Sequence, residues 1–112
     1  MKMIQAIIRP SKVEEVKNVL DQAGYVSLTS IEVKGRGRQK GITQMWRGEE
    51  YKVDMLPKVK VEIVVPDEKE NEAIELIRKA AYTGNIGDGK IFVLPVEKTI
   101  RIRTGEINGK AL

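Results

Sequence analysis

Residues 58–65, KVKVEIVV, constrain the fold more than any other stretch. Val59, Val61, Ile63 and Val65 alternate with Lys58, Lys60, Glu62 and Val64. Successive side chains of a strand point to opposite faces, so this is a strand with one face set against a core. A helix would scatter the same residues around its circumference. The core therefore lies on one side of a sheet, and the rest of the chain supplies the partners. Residues 2–9, KMIQAIIR, read as a strand stopped by Pro10. Val13, Val16, Leu20 and Ala23 then recur at helical spacing until Gly24 ends the run. Ser11 and Glu14 have the spacing of a capping box at its start. Residues 25–34, YVSLTSIEVK, are rich in β-formers, with Val26 and Leu28 in one phase and Ile31 and Val33 in the other, which leaves room for a bulge.

After the alternating strand, Asp67 and Glu70 repeat the capping spacing. Ala73, Ile74, Ile77 and Ala81 form the apolar face of a second helix that Gly84 stops. Residues 91–96, IFVLPV, give a last core strand, and Ile100 and Ile102 alternate with Arg101 and Arg103 in a short extended piece. The order is β-α-β, a long charged segment, then β-α-β. That is the α+β, ferredoxin-like plan, an antiparallel sheet with both helices on one face. The other face needs solvent or a partner, and self-association is the expectation. A single domain over 1–112 accommodates all of it.

The chain has 112 residues, no Cys and no His. Disulfides, thiolate nucleophiles, thiolate metal sites and the usual general base are thereby excluded. Any metal would be a hard cation on oxygen ligands. No apolar run approaches the roughly 20 residues of a spanning helix, and no signal-peptide core is visible, so a cytoplasmic location is expected. An enzyme of this composition would need Asp54 or Asp88 as base or nucleophile, and neither has an obvious paired carboxylate. An RNA-binding sheet would want aromatics on its face, whereas Phe92 and the three tyrosines are scattered. Net charge is +4. Between Lys34 and Lys52 stand six cations and two acids, numerically the whole excess.

Three stretches are candidates for binding. GNIGDGKI, residues 84–91, has the phosphate-loop spacing G-x-x-x-x-G-K, but Ile91 stands where Ser or Thr would hold magnesium. It also follows a helix and precedes a strand, the reverse of the phosphate-loop order. Its glycines suit either a helix C-cap with a tight turn or a backbone cradle for an anion, with Lys90 adding a charge. Arg101 and Arg103, on one face of a strand, suit a polyphosphate or a carboxylate, or else a solvated face. Segment 34–58 interrupts a sheet and holds Met45, Trp46 and Tyr51 beside charges. It reads as a partner-docking loop or as a long hairpin packed on its own body.

Several of these stretches together resemble the PII signal-transduction family, GlnB/GlnK type. TGNIGDGKIFV, 83–93, is similar to its C-terminal signature; GRGRQKG, 35–41, to the base of its T-loop; and WRGEEY, 46–51, to the tip. VDMLPKVKVEIVV, 53–65, and RIRTGE, 101–106, also match. The resemblance implies a homotrimer with sheets facing inward, a T-loop near 36–55, a C-terminal segment near 97–112, and three intersubunit clefts binding ATP or ADP. It implies that Arg38, Lys90, Arg101 and Arg103 hold phosphates with the backbone of Gly37, Gly87, Asp88 and Gly89, and that Ile7, Thr29, Glu62 and Val64 line the nucleoside pocket. It further implies 2-oxoglutarate binding beside Mg-ATP, with Gln39 on the magnesium and Lys40, Lys58 and Gly87 around the effector. Arg47 matches an arginine that enters the pore exit of an ammonium transporter; regulation of a nitrogen-metabolism enzyme such as glutamine synthetase is the alternative, and an RNA-binding module a remote one. Tyr51 matches a uridylylation site of some members. Trp46 stands where Tyr is common, and Glu49 where a small residue is common, which excludes serine phosphorylation there.

Overall fold

The computed structural model describes residues 1–36, 42–46, 49–53 and 55–112, the segments 42–46 and 49–53 by their backbone. The elements are β1 (Lys2–Ile8), α1 (Val13–Gln22), β2 (Thr29–Gly35), β3 (Ile42–Trp46), β4 (Glu49–Val53), β5 (Leu56–Val65), α2 (Glu70–Ala81) and β6 (Lys90–Pro95). Four strands form one antiparallel sheet in the order β2-β5-β1-β6. The α+β, ferredoxin-like arrangement expected from the sequence is the one observed.

The alternation in β5 does what it predicts. Val59, Val61, Ile63 and Val65 are buried with Ile4, Ala6 and Ile8 of β1, against Val16 and Leu20 of α1 and Ala73, Ile77 and Ala81 of α2. Each large apolar side chain buried there contributes roughly 1.5–3 kcal/mol. The opposite face carries Ile7, Lys60 and Lys90 in one cross-strand row and Gln5, Thr29, Glu62 and Phe92 in the next. Ile31 and Phe92 on that face are exposed.

Several local expectations are corrected. Neither capping pair forms, because each helix is entered through a 3-10 turn, Pro10–Lys12 and Asp67–Lys69. In both, the extended residue before the turn supplies its carbonyl, Lys12 N–H to Arg9 O and Lys69 N–H to Pro66 O, each at 3.0 Å. Ser11 lies inside the turn, Glu14 pairs with Lys17, and Asp67 sits 2.9 Å from the Met1 amine. Strand β2 starts at Thr29 rather than Tyr25 and pairs with β5 without a bulge. The phase change at Leu28 marks the strand's start. Strand β5 begins at Leu56 rather than Lys58, and β6 at Lys90 rather than Ile91. Helix α2 ends at Ala81, with Tyr82 already extended, so Gly84 (φ +89°) shapes the loop beyond instead of stopping the helix. Between β2 and β5, β3 and β4 pair as an antiparallel hairpin, Trp46 opposite Glu49.

The final extended piece is replaced by a turn. Ile100 bridges to Ile107, Arg101 N–H donates to Glu106 O and Gly105 N–H to Arg101 O, both at 2.8 Å. Gly105 (φ +74°) permits that reversal. Arg101 and Arg103 therefore do not share a strand face.

The chain just after α1 is tied to α2 by Tyr25, whose hydroxyl donates to Glu72 Oε1 at 2.8 Å. Burial and the Glu72 carboxylate raise its pKa to about 12. Tyr25→Phe is expected to cost about 1 kcal/mol and Ile77→Ala about 2–5 kcal/mol, measured by chemical denaturation. Equal small losses would show that Ile77 is not a core residue.

Candidate functional site

The loop between α2 and β6, residues 82–89, sits over the end of β1. Gly89 (φ +99°) makes this possible: a Cβ there would lie 1.7 Å from the Ile7 carbonyl oxygen. No side chain fits in that gap, so the glycine fixes the height of the loop above the sheet. Asp88 then folds the loop on itself. Its carboxylate accepts hydrogen bonds from the Thr83 amide at 2.8 Å, the Gly84 amide at 3.0 Å and the Thr83 hydroxyl. Arg9, at the end of β1, donates from Nε to Asp88 Oδ1 and from Nη2 to the Ile86 carbonyl, both at 3.0 Å. The bonds from Thr83, Gly84 and Arg9 hold the Asp88 carboxyl far below the usual carboxylate range.

Beneath the loop is a cavity of about 460 Å³ lined by Ile7, Gly35, Arg36, Lys58, Lys90, Phe92 and residues 85–89. Lys58 is the unusual member. It is 8% exposed, and its ammonium donates to the Gly87 carbonyl at 2.6 Å. Among the described residues no carboxylate pairs with it, since Asp88 is engaged by Arg9. Burial, then the charge of Arg9, lowers the Lys58 pKa from 10.5, while Asp88 partly opposes this. A buried ammonium facing a neutral carbonyl is an unsatisfied charge, and Arg36 and Lys90 add two more cations to the walls. Ile7 and Phe92 give an apolar floor. The cavity suits an anion attached to an apolar or flat body.

The structure thus brings Ile7, Lys58, Gly87, Asp88, Gly89 and Lys90 together around one cavity. Thr29, Glu62 and Val64 lie on the same sheet face in rows beyond it, Thr29 opposite Glu62 and Val64 opposite Met3. Gly37, Arg38, Gln39, Lys40 and Arg47 lie outside the described residues, and Tyr51 is described only as a β4 backbone position opposite Gln44. Arg101 and Arg103 do not line the cavity. Arg101 reaches the Leu112 carbonyl at 3.4 Å, while its buried Nε has no hydrogen-bond partner, Glu106 at 3.5 Å being within ion-pair range only. Between the two arginines Ile102 is fully exposed. No sequence pattern marks Arg9, Arg36 or Phe92 as site residues. Arg9 meets Asp88 across 79 positions, and no local pattern announces that pairing.

The family model described as nitrogen regulatory protein P-II matches residues 1–106. The chain belongs to this family. It is 57% identical over 112 residues to the nitrogen regulatory protein P-II of Azospirillum brasilense, covering all of both chains. It is also 57% identical over 112 residues to nitrogen regulatory protein P-II 2 of Methanothermobacter thermautotrophicus, covering all of this chain and 97% of that one. Over 106 residues it is 60% identical to the P-II protein of Rhizobium meliloti, covering 95% of each. P-II proteins are signal-transduction regulators, not enzymes. Among the described residues no helix is long and apolar enough to cross a membrane.

Gly89→Ala combines a positive φ with a backbone clash, and should destabilise the protein by more than the ~1–3 kcal/mol of a strained backbone position alone. Thermal unfolding beside Gly109→Ala, which meets open space, measures this. Asp88 carries a depressed folded-state pKa, so its contribution is present above its unfolded value near 3.9 and is lost as pH falls through the folded one. The stability gap between wild type and Asp88→Asn should shrink as pH drops below about 4. A gap constant from pH 7 to pH 2 would remove Asp88 as the holder of the loop.

Proposed function

We propose that this P-II protein is a trimeric sensor of ATP or ADP and of 2-oxoglutarate that controls a partner through the segment between β2 and β5. The observation that carries this reading is the Lys58 ammonium, buried under a glycine loop and held by a neutral carbonyl. A carboxylate is the group it lacks. Lys90 and the backbone of Gly37, Gly87, Asp88 and Gly89 receive the phosphates, together with Arg38. Ile7, Thr29, Glu62 and Val64 receive the nucleoside. Arg101 and Arg103 join them from a neighbouring copy, which accounts for their distance from the cavity within one chain. The apolar positions on the open sheet face, Ile31 and Phe92 among them, support self-association.

Magnesium fits this donor set. Among the described residues no group of three or more Asp, Glu, His or Cys could hold a metal alone. A cation brought by ATP and completed by Gln39 needs no such group. Held by Gln39, it would neutralise phosphate charge and serve as a Lewis acid for the 2-oxo acid. Gln39, Lys40, Lys58 and Gly87 surround that acid.

The readout follows from where the hairpin is rooted. Gly35 and Arg36 line the cavity, and Gly35 pairs with Leu56 while Val33 pairs with Lys58. A ligand with different affinities for two arrangements of this segment shifts their populations by that difference. We take the domain to span 1–112, with the T-loop near 36–55 and the C-terminal segment near 97–112. Arg47 is the docking residue for an ammonium transporter, so a cytoplasmic protein would be recruited to the membrane on demand; Tyr51 is the candidate modification site. Calorimetry of ATP on wild type and on Arg101→Ala/Arg103→Ala should show at least about tenfold weaker binding in the double variant. Equal affinity would sink the assignment of both arginines. A pull-down from membranes with ADP, or with ATP plus 2-oxoglutarate, should recover an ammonium transporter in one condition only. Recovery of a soluble nitrogen-metabolism enzyme instead would move the target.

A further inference from the structure

Two cations grip successive carbonyls of the loop. Arg9 Nη2 donates to Ile86 O at 3.0 Å and Lys58 Nζ to Gly87 O at 2.6 Å. The two grips are not equivalent. Arg9 also holds Asp88 at 3.0 Å, and Asp88 holds Thr83 and Gly84, so its hold extends over the whole loop. Lys58 makes its one bond to the loop at Gly87, and its stem runs beside Gly35, where an added Cβ would lie 3.9 Å from the Lys58 Cγ. Its ammonium has three donors, sits in the wall of the cavity, and faces a neutral acceptor.

We propose that Arg9 is the positioning residue of this site: it anchors the loop, which allows Lys58 to leave the Gly87 carbonyl for an incoming carboxylate. The proposal rests on the reading that the cavity takes 2-oxoglutarate. A charge-assisted bond to a carboxylate is stronger than one to a carbonyl. Exchange is therefore favourable only if the loop does not lose its place when Lys58 lets go. The planar guanidinium keeps it there, because its fork reaches a carboxylate and a carbonyl at once, a geometry that one ammonium does not supply. The bound state then has a freed Gly87 carbonyl and an unchanged Ile86 carbonyl.

The test is carbonyl NMR on protein labelled with 13C at the Ile86 and Gly87 carbonyls, titrated with 2-oxoglutarate at saturating Mg-ATP and followed in parallel by calorimetry. The Gly87 resonance should move toward the value of a carbonyl without a strong donor, and the Ile86 resonance should stay. Arg9→Met should displace the Ile86 resonance before any ligand is added and weaken 2-oxoglutarate binding about tenfold. Arg9→Lys should recover part of that affinity. If calorimetry shows saturation while Gly87 is unmoved, or if Ile86 moves as far as Gly87, the proposal is overturned. Absence of heat from the wild type would instead overturn the site reading on which it rests. In that case Lys58→Met, without ligand, still decides the clamp: it must move the Gly87 resonance and leave Ile86 in place, and failure to do so removes the clamp as well.

Discussion

The contact on which the site depends is the one between Gly89 and the Ile7 carbonyl. With a Cβ excluded at that point, the chain leaving α2 descends onto β1 and enters β6 in register, Lys90 opposite Ile7. The same descent places Asp88 beside Arg9 and the Gly87 carbonyl above Lys58. One missing methyl group thus sets where three charged residues meet. The Asp88 bonds do the complementary task of closing the loop upon itself. They occupy the Thr83 and Gly84 amides, so neither is open to a ligand. The glycine stretch is therefore a turn closed by Asp88, to which the proposed reading adds an anion cradle at its far end.

Sequence patterns reported the sheet well because its constraint is local. Alternation in residues 58–65 and helical spacing in 13–23 and 73–81 each come from one element facing one core. Turn chemistry was read less well. Both capping boxes had the right residues in the right spacing, yet a proline-led turn satisfied the first amides through backbone carbonyls. The alternation of Ile100, Arg101, Ile102 and Arg103 suits a strand, but among the described residues no strand pairs with them, and Gly105 reverses the backbone instead. Alternation signals a strand only where a sheet is present to receive it.

The site was legible in proportion to how far its residues depend on glycine. Gly87, Asp88, Gly89 and Lys90 announce themselves because few roles other than a tight turn call for that run. Lys58 was reached only through family resemblance, since nothing in KVKVEIVV distinguishes a buried lysine from a solvated one. Its burial comes from the loop folded over it, nearly thirty residues downstream. Arg9 is not legible in the sequence at all. Its position before Pro10 suggests the end of a strand, and its function is written in Asp88 and Ile86 on another element.

Placing the cavity at the roots of the β3–β4 hairpin has a mechanical consequence. Gly35 and Leu56 are the last cross-strand pair of β2 and β5 before the chain departs toward the hairpin. Lys58 lies two residues inside that pair, and Arg36 one residue beyond it. A ligand that draws Lys58 toward itself therefore acts on the strand that carries one root of the hairpin, and its charge acts on Arg36 at the other. Neither effect needs a relay through the core, whose close packing resists graded deformation. The anchored loop supplies the fixed side of this arrangement. Arg9 and Asp88 tie it to β1 in the middle of the sheet, so on the proposed reading any displacement by a ligand would fall on the edge strand β2 and the start of β5. On the proposed reading, the recognition surface would be the part held by the Arg9–Asp88 bonds, and the ligand would act on Lys58 and Arg36 at the two strand ends.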